Sequence, residues 1–179
     1  LIISVVLIQL PITVSAAGAD AEKPQRKTQL VGPSVGKKVA KAFEAYSADD
    51  IPGAFVILLD IDASKEFDKA YVSRFIAVMY ASIGNEEDNA IKYLKLAVEP
   101  DILNEVEHGD AIKLLADLQM QTKAYEEALV NYKAWMDFTG KSDGDTWTKI
   151  ANAHYALKQL DKMIVPADNA IAAYGDKQN

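Results

Sequence analysis

Residues 147–175 read WTKIANAHYALKQLDKMIVPADNAIAAYG, and their spacing decides the fold. Trp147, Ile150, Ala151 and then His154 with Tyr155 recur three and four residues apart, which is one face of a helix. After a short break, Met163, Ala167 and Ala170 mark a second face with the same period. A bulky residue, a large–small pair and then small residues beyond a turn are what two antiparallel helices need where they touch. The pattern recurs upstream. Ile112, Leu115, Ala116, Gln119, Ala128, Tyr132 and Trp135 fall in register, with Gly140 closing the unit. Ile76, Ala77, Tyr80, Gly84, Ala90, Leu94 and Ala97 repeat it again, with one residue inserted between the helices. A helical hairpin cannot bury its apolar stripe alone, so these units are expected to stack on one another.

These residues resemble the tetratricopeptide repeat (TPR), a unit of about 34 residues with the pattern W-x2-L-G-x2-Y…A-x3-F…A. In the last unit His154 stands at the aromatic site and Tyr155 one place late, and a bulky side chain is still expected to fill that layer. The resemblance implies an all-α, TPR-like α-solenoid over residues 34–175, with about four antiparallel hairpins in a right-handed superhelix. The runs 113–119, 133–140 and 161–167 are also similar to a group of exported bacterial TPR proteins encoded beside TonB-type energy-transducing systems. That similarity covers most of residues 34–175. It implies a periplasmic accessory that contacts the TonB complex, and it carries no catalytic residues with it.

The bulk composition narrows the function classes. Half of the 179 residues are apolar and a quarter are charged, a globular composition. The chain has no cysteine, which excludes disulfides, thiol catalysis and thiolate-ligated metals. Its net charge of −7 argues against a general nucleic-acid binder, because phosphate binding needs a basic face. The charge is uneven: Lys23, Arg26, Lys27, Lys37, Lys38 and Lys41 are opposed only by Asp20 and Glu22 before residue 42. That basic stretch reads as a solvated tail or as a contact for an acidic surface or anionic headgroups.

Leu1–Leu10 is almost wholly apolar, and Pro11 and small residues follow it. This reads as the h-region and c-region of a secretory signal peptide spanning 1–19, with the basic n-region missing. The mature chain is expected to begin near Ala17 or Asp20. The alternative is an uncleaved anchor in the inner membrane. Gln9, Pro11 and Thr13 interrupt the run short of the about 20 apolar residues needed to cross a bilayer. Residues 20–33 carry Pro24, Gly32 and Pro33 without a helical stripe and read as a basic, flexible linker, and 176–179 as a tail.

Ser34 is expected to cap a helix whose apolar face is Val35, Val39, Ala42, Phe43 and Tyr46. Pro52 suits the first turn of the next, whose face is Ala54, Ile57, Leu58 and Ile61. Together they form a degenerate first hairpin. The run 56–59 also reads as a buried strand, but nothing else in the chain could pair with it. Gly84 is expected to end the helix over 67–83, and Asn104 with Glu107 reads as a capping box for the helix after it. Pro166 should kink the last helix or delay its start, because it removes one backbone bond.

No reactive constellation is legible. His108 and His154 are too few and badly spaced for zinc, and no phosphate loop or nucleophile elbow is present. Asp143-Gly144-Asp145 lacks the spaced ligands of a calcium loop and reads as a helix start. We therefore expect no enzyme, no metal and no cofactor. Trp135 stands where the family has a small residue, so it should fill space between hairpins, and Trp147 should be buried.

What remains is the concave surface, which in TPRs is lined by the first helix of each hairpin. Carried onto this sequence, that is Arg74 and Val78 beside Tyr71, then Lys113, Asp117, Met120 and Gln121, then Thr148, Asn152 and Tyr155. The mixture suits an extended peptide: Asn152 and Gln121 for backbone amides, Arg74 and Lys113 for an acidic side chain or carboxylate, Met120 and Val78 for apolar side chains. Of the carboxylate clamp that some TPRs use, only Lys113 and Asn152 match, and they lie in different repeats. The expected partner is a protein or peptide, as an acidic segment or a component of a TonB-type complex. No nucleic acid is expected, and contact with the membrane only through partners or an uncleaved N-terminal segment. The alternative function is a scaffold or coordinator of peptidoglycan or outer-membrane assembly.

Overall fold

The computed structural model describes residues 26–175. The signal-peptide reading of 1–19, the first residues of the linker and the 176–179 tail lie outside them. The described residues form eight helices and no strand: α1 (Pro33–Ser47), α2 (Ile51–Leu59), α3 (Glu66–Ile83), α4 (Glu87–Val98), α5 (Glu105–Gln121), α6 (Tyr125–Thr139), α7 (Gly144–Ala156) and α8 (Leu160–Gly175). The run 56–59 is helical, inside α2. Helices pack as α1/α2, α3/α4, α5/α6 and α7/α8, and each pair then rests on the next. This is an α-solenoid arrangement of adjacent helix pairs.

The first, third and fourth hairpins share one turn geometry, and the second differs in that Gly84 also has a positive φ, of 71°. Each pair is joined by three residues, and the middle one, Asp49, Asn85, Lys123 or Lys158, has a positive φ between 56° and 66°. In three of the turns the third residue donates its N–H to the carbonyl five residues back: Asp50 to Ala45, Ala124 to Gln119 and Gln159 to His154. These bonds satisfy carbonyls that a helix end leaves open. Alanine is placed by the same frame. Ala42, Ala116 and Ala151 stand seven residues before the left-handed residue, and Ala77 eight before its own. Ala54, Ala90 and Ala128 stand five after it, all fully buried. The first hairpin, degenerate in sequence, thus shares the frame of the others.

Three apolar clusters run along the stack. The first joins Val35, Val39 and Ala42 of α1 with Ala54 and Leu58 of α2 and Val72, Ile76 and Met79 of α3. The second joins Phe67, Ala70 and Ala77 of α3 with Ala90, Leu94 and Ala97 of α4, Leu103, and Ala111, Leu115 and Leu118 of α5. The third is Ala116, Ala128, Tyr132 and Ile150. Helix α3 feeds two clusters from two faces and α5 does the same, so neither has one clean apolar stripe. Among the described residues no helix is long and apolar enough to cross a membrane.

Several local expectations need correction. The linker is not free over 26–32, because polar groups of the solenoid hold it. Arg26 donates to the carbonyls of Asp101 and Leu103 at 2.9 and 3.1 Å and pairs with the Asp101 carboxylate. The Gly32 N–H donates to Asp68 at 3.0 Å. Asn104 is the N-cap residue of α5, but its side chain makes no cap bond. It clasps the Gln29 peptide instead, accepting its N–H at 2.7 Å and donating to its carbonyl at 3.1 Å. Ser34 lies inside α1, which starts at Pro33 after Gly32, since proline at the first helical position loses no bond. Helix α8 runs from Leu160 through Pro166, so its start is not delayed. Trp147 is half-buried, and Tyr155 is 65% exposed and fills no core layer. His154 in its place bonds Gln159 at 2.9 Å.

Candidate functional site

The nine expected groove residues lie on the first helices of the second, third and fourth hairpins, but internal bonding has claimed two of them. Lys113 on α5 reaches Asp143 at 2.9 Å and the Thr146 hydroxyl at 3.0 Å, and its ammonium stands 4.2 Å from the centre of the Trp135 ring. Asp117, one turn on, accepts from the Tyr132 hydroxyl at 2.6 Å and from Lys149 at 2.9 Å. Lys149 also pairs with Asp145 at 2.8 Å. These bonds form one polar lattice that fastens α7 onto the α5/α6 hairpin.

The lattice begins at the start of α7. Asp143 caps that helix by accepting the Thr146 N–H at 2.7 Å, as the Asp-Gly-Asp reading expects. Burial works against the Asp143 charge, but the Thr146 N–H, Lys113 and the Thr146 hydroxyl outweigh it and hold its pKa down at about 2. Burial and the Asp117 bond both push the Tyr132 hydroxyl far above its ordinary range. Burial opposes the Lys149 charge, and Asp145 and Asp117 more than offset it, raising its pKa. A half-buried cation held by two carboxylates is a fastening, not a free ligand for a peptide.

The other seven are more open. On α3, Val78 is 43% exposed, and the Arg74 Nε–H is buried without an acceptor. On α5, Met120 is half-buried and Gln121 exposed. On α7, Thr148 donates its hydroxyl to the Gly144 carbonyl at 2.7 Å, while Asn152 and Tyr155 are exposed. The nine do not line one pocket. Lys113 belongs to a polar cleft of about 800 Å³ with Arg26, Asn104, Asp110 and Trp135. Thr148, Asn152 and Tyr155 line a groove of about 360 Å³ between α7 and α8.

Two further features were not legible in the sequence. Arg26 lies 4.6 Å from the Phe138 ring centre, and the buried His108 donates its Nε2–H to the Asp101 carboxylate at 2.9 Å. Burial first, and then the Arg26 cation, lower the His108 pKa against the opposing pull of Asp101, so the ring is neutral near pH 7. The second feature is a largely apolar groove of about 520 Å³ floored by Leu115 and Gln119 and flanked by Lys95, Glu99, Val130 and Asn131. No signal joins Arg26 to Asp101 in the sequence, because 75 residues separate them. Among the described residues no group of three or more His, Asp or Glu side chains is arranged to hold a metal. No protein-family model matches the chain, and no curated protein matches it.

Proposed function

We propose that this chain is a TPR-type interaction module, exported to the periplasm, that binds a polypeptide as an accessory of a TonB-type energy-transduction complex. A left-handed residue in the middle of each three-residue turn, with buried alanines seven or eight residues before it, supports the repeat assignment. A right-handed superhelical stack goes with that assignment. Export rests on the apolar Leu1–Leu10 run and the small residues after it.

The observation that carries binding is the set of first-helix side chains that the internal lattice leaves open. Val78 and Gln121 are exposed, and Arg74 and Met120 are half-buried. An extended peptide suits that set: Gln121 bonds its amides, Val78 and Met120 take apolar side chains, and Arg74 takes a carboxylate. Preference for an acidic segment then rests on Arg74, because Asp143 already neutralises Lys113.

The test is photo-crosslinking in cells from p-benzoylphenylalanine placed at Val78, at Gln121 or at Val130 in the α4–α5–α6 groove. Fractionation should find the chain in the periplasm, with a TonB-system component crosslinked from Val78 and Gln121 and not from Val130. A cytoplasmic chain, or crosslinks from Val130 alone, overturns the reading.

A further inference from the structure

The groove between α7 and α8 is the register copy of a surface that the chain already covers once. Thirty-five residues upstream of Ala151, Asn152, Tyr155, Met163 and Ala167 stand Ala116, Asp117, Met120, Ala128 and Tyr132. Helix α7 occupies that upstream surface: Ile150 shares a cluster with Ala116, Ala128 and Tyr132, and Lys149 reaches Asp117. Among the described residues nothing covers the downstream copy, where Tyr155 is 65%, Ile164 58% and Ile171 71% exposed. By internal analogy it is a seat for one helix.

We propose that the occupant is α8 of a second copy of this chain, seated about a two-fold axis through Ala167. Leu160, Ile164, Ala167, Ile171 and Tyr174 are spaced four, three, four and three, which is the seam of a helix pair. At about 100° per residue all five lie within about 60° of Ala167. Seam and groove share Ala167 and Ile171, so one patch can meet its own copy, as a two-fold contact requires.

An antiparallel pair centred on Ala167 brings Leu160 level with Tyr174, Met163 with Ile171 and Ile164 with Ala170. Ile164 then faces a small residue, Ile171 a flexible one and Leu160 the Tyr174 ring. The charged residues Asp161, Lys162 and Asp168 come level with Ala173, Ala172 and Pro166, so no like charges oppose. Charge also selects the occupant. The residues that fasten α7 upstream, Lys113 and Asp117, are Thr148 and Asn152 here. A neutral seat suits the uncharged α8 seam and offers nothing to a helix like α7, whose contact face carries Asp143 and Lys149. The dimer is a four-helix bundle of two α7/α8 hairpins. It takes Thr148, Asn152 and Tyr155 into the contact and leaves the peptide surface at Arg74, Val78, Met120 and Gln121.

The test uses residues 20–179, which keep every described residue, in sedimentation equilibrium from low micromolar to submillimolar concentration. Wild type should show a monomer–dimer equilibrium in that range. Ile164→Glu with Ile171→Glu, both exposed in the monomer, should weaken it roughly a hundredfold or more and leave the melting temperature of the monomer unchanged. The chain has no cysteine, so Ala167→Cys and Val165→Cys each place a single thiol, on the seam and on the opposite side of α8. A short bis-maleimide should join two copies through the first and not the second. A wild type that stays monomeric throughout, a dimer that survives the double glutamate change, or equal crosslinking at both thiols overturns the proposal.

Discussion

Replacing Lys113 by alanine should loosen the last hairpin before it affects any ligand. The Lys113 side chain is 26% exposed and that of Asp143 39%, so the pair lies between the surface and buried regimes. Screening limits the pair to about 1 kcal/mol, the bond to the buried Thr146 hydroxyl adds about 1, and the Trp135 ring about 0.5–1. The expected loss is about 2–3 kcal/mol, or a fall of about 4–12 °C in melting temperature for a domain of this size. It should be local. Amide exchange should rise in α7 and α8 while α1–α4 keep their protection. A double-mutant cycle with Asp143→Ala should return a coupling of about 1 kcal/mol. If Lys113→Ala melts like wild type, exchanges like wild type and loses only partner binding, Lys113 is a ligand residue and the lattice argument fails.

The same lattice predicts an acid response. The Asp143 pKa falls from 3.8 to about 2 on folding, so its contribution is complete above pH 4–5 and is lost as pH falls toward 2. Screening at this partly exposed group reduces the effect to about 1 kcal/mol, and Asp143→Asn should flatten that part of the stability–pH curve. Lys123→Gly and Lys158→Gly should each stabilise by about 0.5–1 kcal/mol in urea unfolding, because a left-handed residue with a Cβ costs about 1–2 kcal/mol and glycine entropy returns part of the gain. Ala116→Leu should cost about 1–3 kcal/mol at a fully buried contact, and Ala151→Leu clearly less, since Ala151 opens onto the α7–α8 groove. Equal melting of those two variants would put the register in error. Trp147→Ala should cost about 2–3 kcal/mol, below the 3–5 of a fully buried aromatic, because the ring is only half-buried.

The sequence by itself determined the local and periodic part of this protein. Three-and-four spacing from Ile76 to Ala170 fixed helices, and recurrence of the large–small pair fixed hairpins, because helix contacts repeat with the chain's own period. Asp143 was legible as a cap because its partner, Thr146, lies three residues on. Tertiary structure decided what joins distant residues. Asn104 had a capping-box pattern, yet its amide turned to Gln29, 75 residues away, since a two-point clasp on a peptide satisfies more of its groups. Lys113 and Asp117 matched groove positions, and only the approach of α7, some 30 residues on, showed that their charges are spent inside the fold. Tyr155 was placed one residue from an aromatic layer, and a shift of about 100° on a helix turned it to solvent. The frame of the first hairpin was hidden for a related reason. A helix turn sets backbone angles and needs a small residue at two places, and Ala42 and Ala54 supply both, while Lys38 and Leu58 stand where the later repeats carry Trp147 and Tyr132.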